Sequence, residues 1–355
     1  MAALPRHLRF DPPSELVALS ARLGGDPLLV QGGGGNTSFK RDDDFWIKAS
    51  GTWLAHAGAQ DIFVRLSLRE ARAAIVGDDA ENALTALALA GGLRPSIETS
   101  LHALLPHAVV AHVHSVNAIA WAARTDAESA LTRALQGEAW TWVPYRRPGL
   151  PLTDAIRDAL DAATTTPDAL LLGNHGLVVG GADCAEAEAR LREIEARLAL
   201  PARAPIAPDR ARLAAANDLG WIAPDHALPH AIGTDPVVRA IALRGALYPD
   251  HVVFLGERAI RVDDRQSLSS ALSATVRDGG ATASFAVVPG AGLLHAPELG
   301  EGARAMLDCL AEVGLRCDSA DALRYLALDE VAALIGWEAE AYRRARERAD
   351  ATAAS

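Results

Sequence analysis

Val109-Val110-Ala111-His112-Val113-His114-Ser115 is an apolar run that ends on two histidines one residue apart. Alternate side chains of a strand share a face, so a strand here presents both imidazoles to one point. Two neutral imidazoles on one side of a dry segment suit a borderline-soft divalent cation such as zinc. Half-exposed strand histidines would read the same way, and the pair alone leaves both readings open. Further on, Leu172-Gly173-Asn174-His175-Gly176-Leu177 sets a third histidine between glycines, where the backbone can turn sharply and deliver one polar side chain to a dry place. Three imidazoles with an open fourth position describe a catalytic zinc rather than a structural one. A histidine that only hydrogen-bonds within a hairpin loop fits the same spacing.

Just upstream of the first pair, Arg94-Pro95-Ser96-Ile97-Glu98-Thr99-Ser100-Leu101-His102 reads as a helix start. Glu98 then falls in the first turn, with His102 on the same face at i+4. An exposed glutamate there merely complements the helix dipole. Near a metal, the same carboxylate ligates at rest and moves a proton when substrate displaces it. Gln31-Gly32-Gly33-Gly34-Gly35-Asn36-Thr37-Ser38 exposes successive backbone N–H groups and adds side-chain donors, a combination suited to phosphate or to a plain flexible loop. It lacks the lysine and spacing of a nucleotide-triphosphate loop. Lys48-Ala49-Ser50-Gly51-Thr52 offers a second polar turn, with Lys48 a point charge for a phosphate or an enolate.

Around these motifs, strand-like and helical patterns alternate. Strands are expected at 44–49, 62–64 and 109–114, and within a hydrophobic run at 169–179 split by Gly173 and Gly176; helices are expected at 67–76, 80–89, 97–105 and 185–200. That mixture indicates an α/β or α+β layered domain. Composition shifts at 201–235, a Pro/Ala-rich stretch read as a linker, which divides the chain into a domain at 1–200 and a smaller α/β domain at 236–355. In the latter, strands are expected at 251–255 and 284–289, and helices at 302–313 and 329–348. Pro289-Gly290-Ala291-Gly292 lacks the third glycine of a dinucleotide fingerprint and is read as a tight turn within 289–295. Leu255, Val287, Val288 and Leu310 are expected to form an ordinary second core, and His226, His230, His251 and His295 to be surface or loop residues.

The chain has 355 residues, half of them apolar, and a net charge of −11. At ~150 residues per domain this length suits two domains. The acidic balance gives no electrostatic footprint for nucleic acid or an anionic membrane. Cys184, Cys309 and Cys317 are too few for a disulfide framework, and no signal peptide or membrane span is read. A cytoplasmic protein is expected.

In chain order, the segments at 32–38 (GGGGNTS), 48–52 (KASGT), 94–102 (RPSIETSLH), 111–115 (AHVHS), 142–149 (WVPYRRPG) and 173–179 (GNHGLVV) resemble the class II aldolase/adducin family. The likeness is greatest to the aldolase portion of rhamnulose-1-phosphate aldolase/alcohol dehydrogenase-type proteins and covers about residues 20 to 200. It implies an α/β/α layered fold with a central mixed, largely antiparallel sheet between helices, and a homotetramer or other homo-oligomer. It also implies His112, His114 and His175 as ligands of Zn2+, or of Mn2+ or Co2+ in its place, and Glu98 as the residue that ligates resting metal and then shuttles a proton. Gly35, Asn36, Thr37, Ser50, Gly51 and Ser96 are implied to bind substrate phosphate, and Tyr145 to protonate the aldehyde oxygen. One departure stands out. Ile97 occupies a position where the family often has a second serine, so one phosphate donor is missing. The implied activity is that of a lyase in carbohydrate metabolism, cleaving a ketose 1-phosphate through an enediolate to dihydroxyacetone phosphate and an aldehyde. Ketopentose-phosphate 4-epimerases, a dehydratase and decarboxylases share the metal site, and an adducin-like interaction module shares the fold. The chain to Ser355 carries no GxGxxG Rossmann region, so no oxidoreductase activity is expected.

Overall fold

Strands β1 (Asn36–Arg41), β2 (Asp44–Lys48), β3 (Phe63–Ser67), β4 (Val109–Val113), β5 (Trp140–Val143), β6 (Ala169–Leu172) and β7 (Gly176–Gly181) make one sheet in the computed structural model. The structure describes residues 11–77, 80–88, 92–277, 283–337, 341, 342 and 345. Strand order is β3-β2-β1-β4-β7-β6-β5. Every neighbouring pair is antiparallel except β5 with β6. This is the mixed, largely antiparallel sheet expected. β4 is buried along its whole length, His112 included, as its mostly apolar composition suits a central strand.

Helices cover both faces, and the alternation of β1 shows which residue meets which. Thr37 bonds Ser20 of helix Ser14–Gly24 on one side, with the two hydroxyl oxygens 2.6 Å apart. Asn36, Ser38 and Lys40 meet helix Thr99–Leu104 on the other. The apolar layers are local. Phe45, Ile47, Val64 and Leu66 pack with Ala71, Ile75, Leu84 and Ala103. Leu101, Leu105, Val110 and Val178 pack with Leu152 and Ile156 of helix Leu150–Ala162. Each large aliphatic side chain buried this way contributes about 1.5–3 kcal/mol.

The chain falls into two compact units. Residues up to Ser115 together with Leu135–Arg197 form the first; Val116–Ala134 with the residues from Leu198 on form the second. The stretch 201–235 carries helices Arg210–Ala216, capped by the Asp209 carboxylate, and Ala231–Thr234. The second unit contains a three-stranded sheet of β8 (Ile260–Arg261), β9 (Phe285–Val288) and β10 (Gly292–His295), in the order β10-β9-β8. β9 is sandwiched: Phe285 and Val287 face a core with Leu255, Met306 and Leu310, while Ala286 and Val288 face another with Ile260, Val262 and Leu268. The four residues expected as one second core are therefore split, because β9 alternates and Val288 points the other way.

Two expectations fail in this unit. Residues 251–255 are not a strand but part of helix Pro249–Leu255. Pro249 sits in the first turn, where its missing N–H costs nothing, and a short apolar run buried on all sides has no readable period. His230 lies in a turn, as a loop residue should, but it, His251 and His295 are all buried, and of the four only His226 is exposed. His230 is pinned at both ring nitrogens, donating to the Pro224 carbonyl and accepting the Leu293 N–H. The Gly290 turn joins β9 to β10 in an antiparallel hairpin rather than a strand to a helix, as a tight turn should. Among the described residues, no helix is long and apolar enough to cross a membrane.

Candidate metal and proton-transfer site

The first unit gathers its histidines where β4 ends beside the β6–β7 turn. Register sets Asn36 of β1 directly across from His112, and Val178 and Leu177 of β7 against His112 and Val113. Closeness here depends on glycine. A Cβ on Gly35, which has φ +60°, would lie 2.8 Å from the His112 carbonyl oxygen; one on Gly176 would lie 2.4 Å from that of Val113. Asn174 takes the left-handed conformation at the turn, a role asparagine tolerates, and delivers His175.

The ligating nitrogens of His112, His114 and His175 all lie within 4.8 Å of one another, and the three side chains are buried. His112 Nδ1–H donates to the Leu177 carbonyl at 3.1 Å, which leaves Nε2 as the bare lone pair. That Nε2 lies 3.1 Å from His114 Nε2. The Glu98 carboxylate completes the group, with Oε2 3.4 Å from His112 Nε2 and Oε1 3.5 Å from His175 Nε2. Oε1 is buried with no hydrogen-bond partner among the described residues. Converging imidazole lone pairs beside an orphaned carboxylate oxygen are the donor set of a tetrahedral divalent cation, so these residues fit zinc.

Glu98 differs from its expected role in one respect. It is the N-cap of helix Thr99–Leu104 rather than a first-turn residue, and its side chain caps nothing. The carboxylate turns instead toward the histidines, accepting from Asn36 Nδ2 at 2.8 Å. Burial by itself would raise its pKa; the neighbouring imidazoles of His112, His175 and His114, with the Asn36 donor, outweigh it and hold it at about 2.

The anion-binding candidates divide. Ser96 lies at the site: its hydroxyl accepts from Asn36 Nδ2 and from the Glu98 N–H, both at 3.2 Å. Ser50 and Gly51 are brought beside it by pairing of their turn with the 94–96 segment, through Ser50 N–H to the Arg94 carbonyl (2.8 Å) and Ser96 N–H to that of Lys48 (3.0 Å). Lys48 Nζ donates to the Gly33 carbonyl at 3.0 Å and so ties in the glycine run. Thr37 is on the wrong side of the sheet: with period 2 its hydroxyl faces Ser20, away from Asn36. Tyr145 is buried just beyond β5, its backbone nitrogen 2.8 Å from where a Cβ on Gly173 would be.

A polar stripe went unread in the sequence. Asn36, Ser38 and Lys40 alternate along β1 and meet the helix at Glu98, His102 and its last carbonyls respectively. Lys40 Nζ donates to the carbonyls of His102 and Leu105, and burial, with Arg72 nearby, lowers its pKa to about 7. Burying an ammonium costs several kcal/mol; the helix C-terminus and its free carbonyls offset that. The readable signal was three polar residues at period 2 in a strand next to the core.

The class II aldolase and adducin N-terminal domain model matches residues 14–200. "Uncharacterized oxidoreductase YuxG" of Bacillus subtilis (strain 168) is 35% identical over 182 residues, covering 47% of this chain and 26% of that protein, so the chain spans about a quarter of this curated relative. Among solved structures, the N-terminal class II aldolase domain of a conserved protein from Thermoplasma acidophilum is 27% identical at TM-score 0.46, covering 56% of this chain and 97% of that one. L-fuculose-1-phosphate aldolase from Thermus thermophilus is 17% identical at TM-score 0.36, covering 52% and 92%. By its match over residues 14–200, the chain belongs to the class II aldolase and adducin N-terminal domain family.

Proposed function

We propose that the chain is a zinc-dependent aldehyde-lyase of the cytoplasm that cleaves a ketose 1-phosphate, or a related sugar, to dihydroxyacetone phosphate and an aldehyde. The observation that carries this reading is the Glu98 carboxylate facing the three converging imidazoles. A cation held by His112, His114 and His175 supplies Lewis-acid stabilisation of the negative charge that develops as the C3–C4 bond breaks. Glu98 acts on carbon: in the addition direction its carboxylate removes the proton from the nucleophilic carbon, and in cleavage it returns that proton to C3. The C4 hydroxyl loses its proton as C4 becomes the aldehyde carbonyl, with Tyr145 serving that oxygen. Asn36, Ser50, Gly51 and Ser96 hold the anionic end of the substrate by neutral donors, which suits an acidic protein, and Ile97 weakens this pocket by one hydroxyl. Residues 1–200 are taken as the catalytic domain and the chain as a homotetramer or another homo-oligomer.

The test is product identity. Zinc-loaded protein incubated with a panel of sugar phosphates should yield dihydroxyacetone phosphate and an aldehyde by NMR, and Glu98→Gln should slow this by about 10²–10⁴-fold, the span of a lost general acid–base. Accumulation of a 4-epimer, a dehydrated sugar or carbon dioxide without cleavage would exclude the lyase reading in favour of those rivals.

A further inference from the structure

We propose that His102 is a positioning residue for Glu98, acting through Asn36, whose amide it locks with the N–H side toward the carboxylate. The inference rests on the reading of Glu98 as the proton-transfer group, and it follows from hydrogen-bond direction. An ionised carboxylate only accepts, so the Asn36 atom 2.8 Å from Glu98 Oε2 is the amide nitrogen. Its oxygen then faces His102 Nε2, which must carry the ring proton. A neutral ring protonated at Nε2 is bare at Nδ1, and Nδ1 must accept from the Ser38 hydroxyl at 2.7 Å. Donation therefore runs one way: Ser38 to His102, His102 to Asn36, Asn36 to Glu98.

Each member is buried, so a reversed amide would set the Asn36 oxygen against the Glu98 carboxylate and its NH2 against an N–H, with no water to relieve either. The same amide nitrogen reaches Ser96 Oγ at 3.2 Å, so Asn36 has its donors committed to Glu98 and Ser96. That assigns Asn36 to the turnover step more than to anchoring the substrate's anionic end. Lys40 and Ser38 hold the helix that carries His102 in register with β1, which keeps the chain of donors aligned.

The experiment is a double-variant cycle read by zinc affinity, in competition with a chelator, and by kcat and KM. Partners behind a metal site typically govern its affinity or activity by 10–100-fold. His102→Leu should weaken zinc binding and lower kcat by about tenfold with KM unchanged, and Asn36→Ala should lower both at least as much, with a rise in KM from its lost contact with the substrate's anionic end. In the Asn36→Ala background, His102→Leu should cost nothing further, because its route to Glu98 is already cut. His102→Gln, which places an N–H near the Nε2 position, should restore most of the loss. Multiplying losses in the double variant, or a Gln variant as impaired as Leu, overturns the proposal. If His102→Leu fails to fold, Ser38→Ala substitutes for it: a smaller loss in the same direction, absent in the Asn36→Ala background, is expected, and a loss that persists there overturns it. Failure of the wild-type protein to cleave any sugar phosphate would sink the lyase reading alone, since the zinc cycle still reports whether His102 and Asn36 are coupled.

Discussion

Both units bury histidines, and the contrast between them separates a site from a core. In the first, His102, His112, His114 and His175 are drawn into one network with a carboxylate and an amide, each ring set by a neighbour it needs. In the second, His230 is pinned by two backbone groups, and His251 is fully buried with neither ring nitrogen hydrogen-bonded among the described residues. Its neighbour is the Tyr248 ring, at 5.6 Å between centroids, and Tyr248 spends its hydroxyl on Cys309. Burial alone thus marks nothing. Convergence of lone pairs on a common point is what distinguishes the first unit.

The sharpest way to break this comparison is to remove a converging ring. His114→Ala should abolish stoichiometric zinc by elemental analysis and lower any lyase activity by at least ~10³-fold, as expected when a Lewis acid is lost. Thermal midpoints should part as well: added zinc, if held by the folded site alone, raises the midpoint of the wild-type chain but not of the variant. Full zinc occupancy in His114→Ala would sink the site as drawn.

A smaller effect is expected from His251 and concerns stability alone. Burial lowers its pKa from 6.5 to about 3. As pH falls from about 6.5 to 3, the unfolded chain takes up a proton that the folded chain refuses, so stability drops across that window by a few kcal/mol at most. His251→Leu should flatten that part of the pH dependence in urea denaturation. At neutral pH it should gain on the order of 1 kcal/mol, since it removes a buried N–H that has no acceptor among the described residues. An unchanged acid slope would show that His251 does not carry it.

The smallest effect separates two neighbours in one strand. Thr37→Val removes a hydroxyl that pairs with Ser20 of helix Ser14–Gly24 and should cost about 1 kcal/mol of stability, leaving kcat and zinc affinity within twofold of wild type. Asn36→Ala, one residue away, should lower kcat and zinc affinity about tenfold, and it costs stability as well because it strips the buried His102 N–H of its acceptor. Equal kinetic losses at both positions would mean that the glycine run acts as a whole rather than through one face of β1.

The aldolase-type sheet was legible because its evidence is local. Val109, Val110, Ala111 and Val113 are apolar around His112, and glycines flank His175, so a buried central strand and a sharp turn follow from side-chain chemistry alone. The pairing of His112 with His114 follows from the two-residue period of a strand. The same period, applied to the glycine run, would have removed Thr37 from the anion site, but a loop sequence does not announce where its strand begins. Residues 251–255 were misread because a short run buried on every side has no period to count.

What the sequence by itself determined is the donor inventory: three histidines, a glutamate and a backbone of glycines in an acidic chain with few cysteines. It also determined the strands and turns that carry them, through patterns a few residues long. Tertiary structure alone decided that Glu98 turns from its helix to the histidines, that Thr37 faces away, and that Asn36, Ser38 and Lys40 clasp one helix from end to end. Those outcomes depend on register between strands and on which helix lies over which face. They are set by contacts between different elements, from the 17 positions between Ser20 and Thr37 to the 62 between Lys40 and His102, and no pattern a few residues long encodes such pairings.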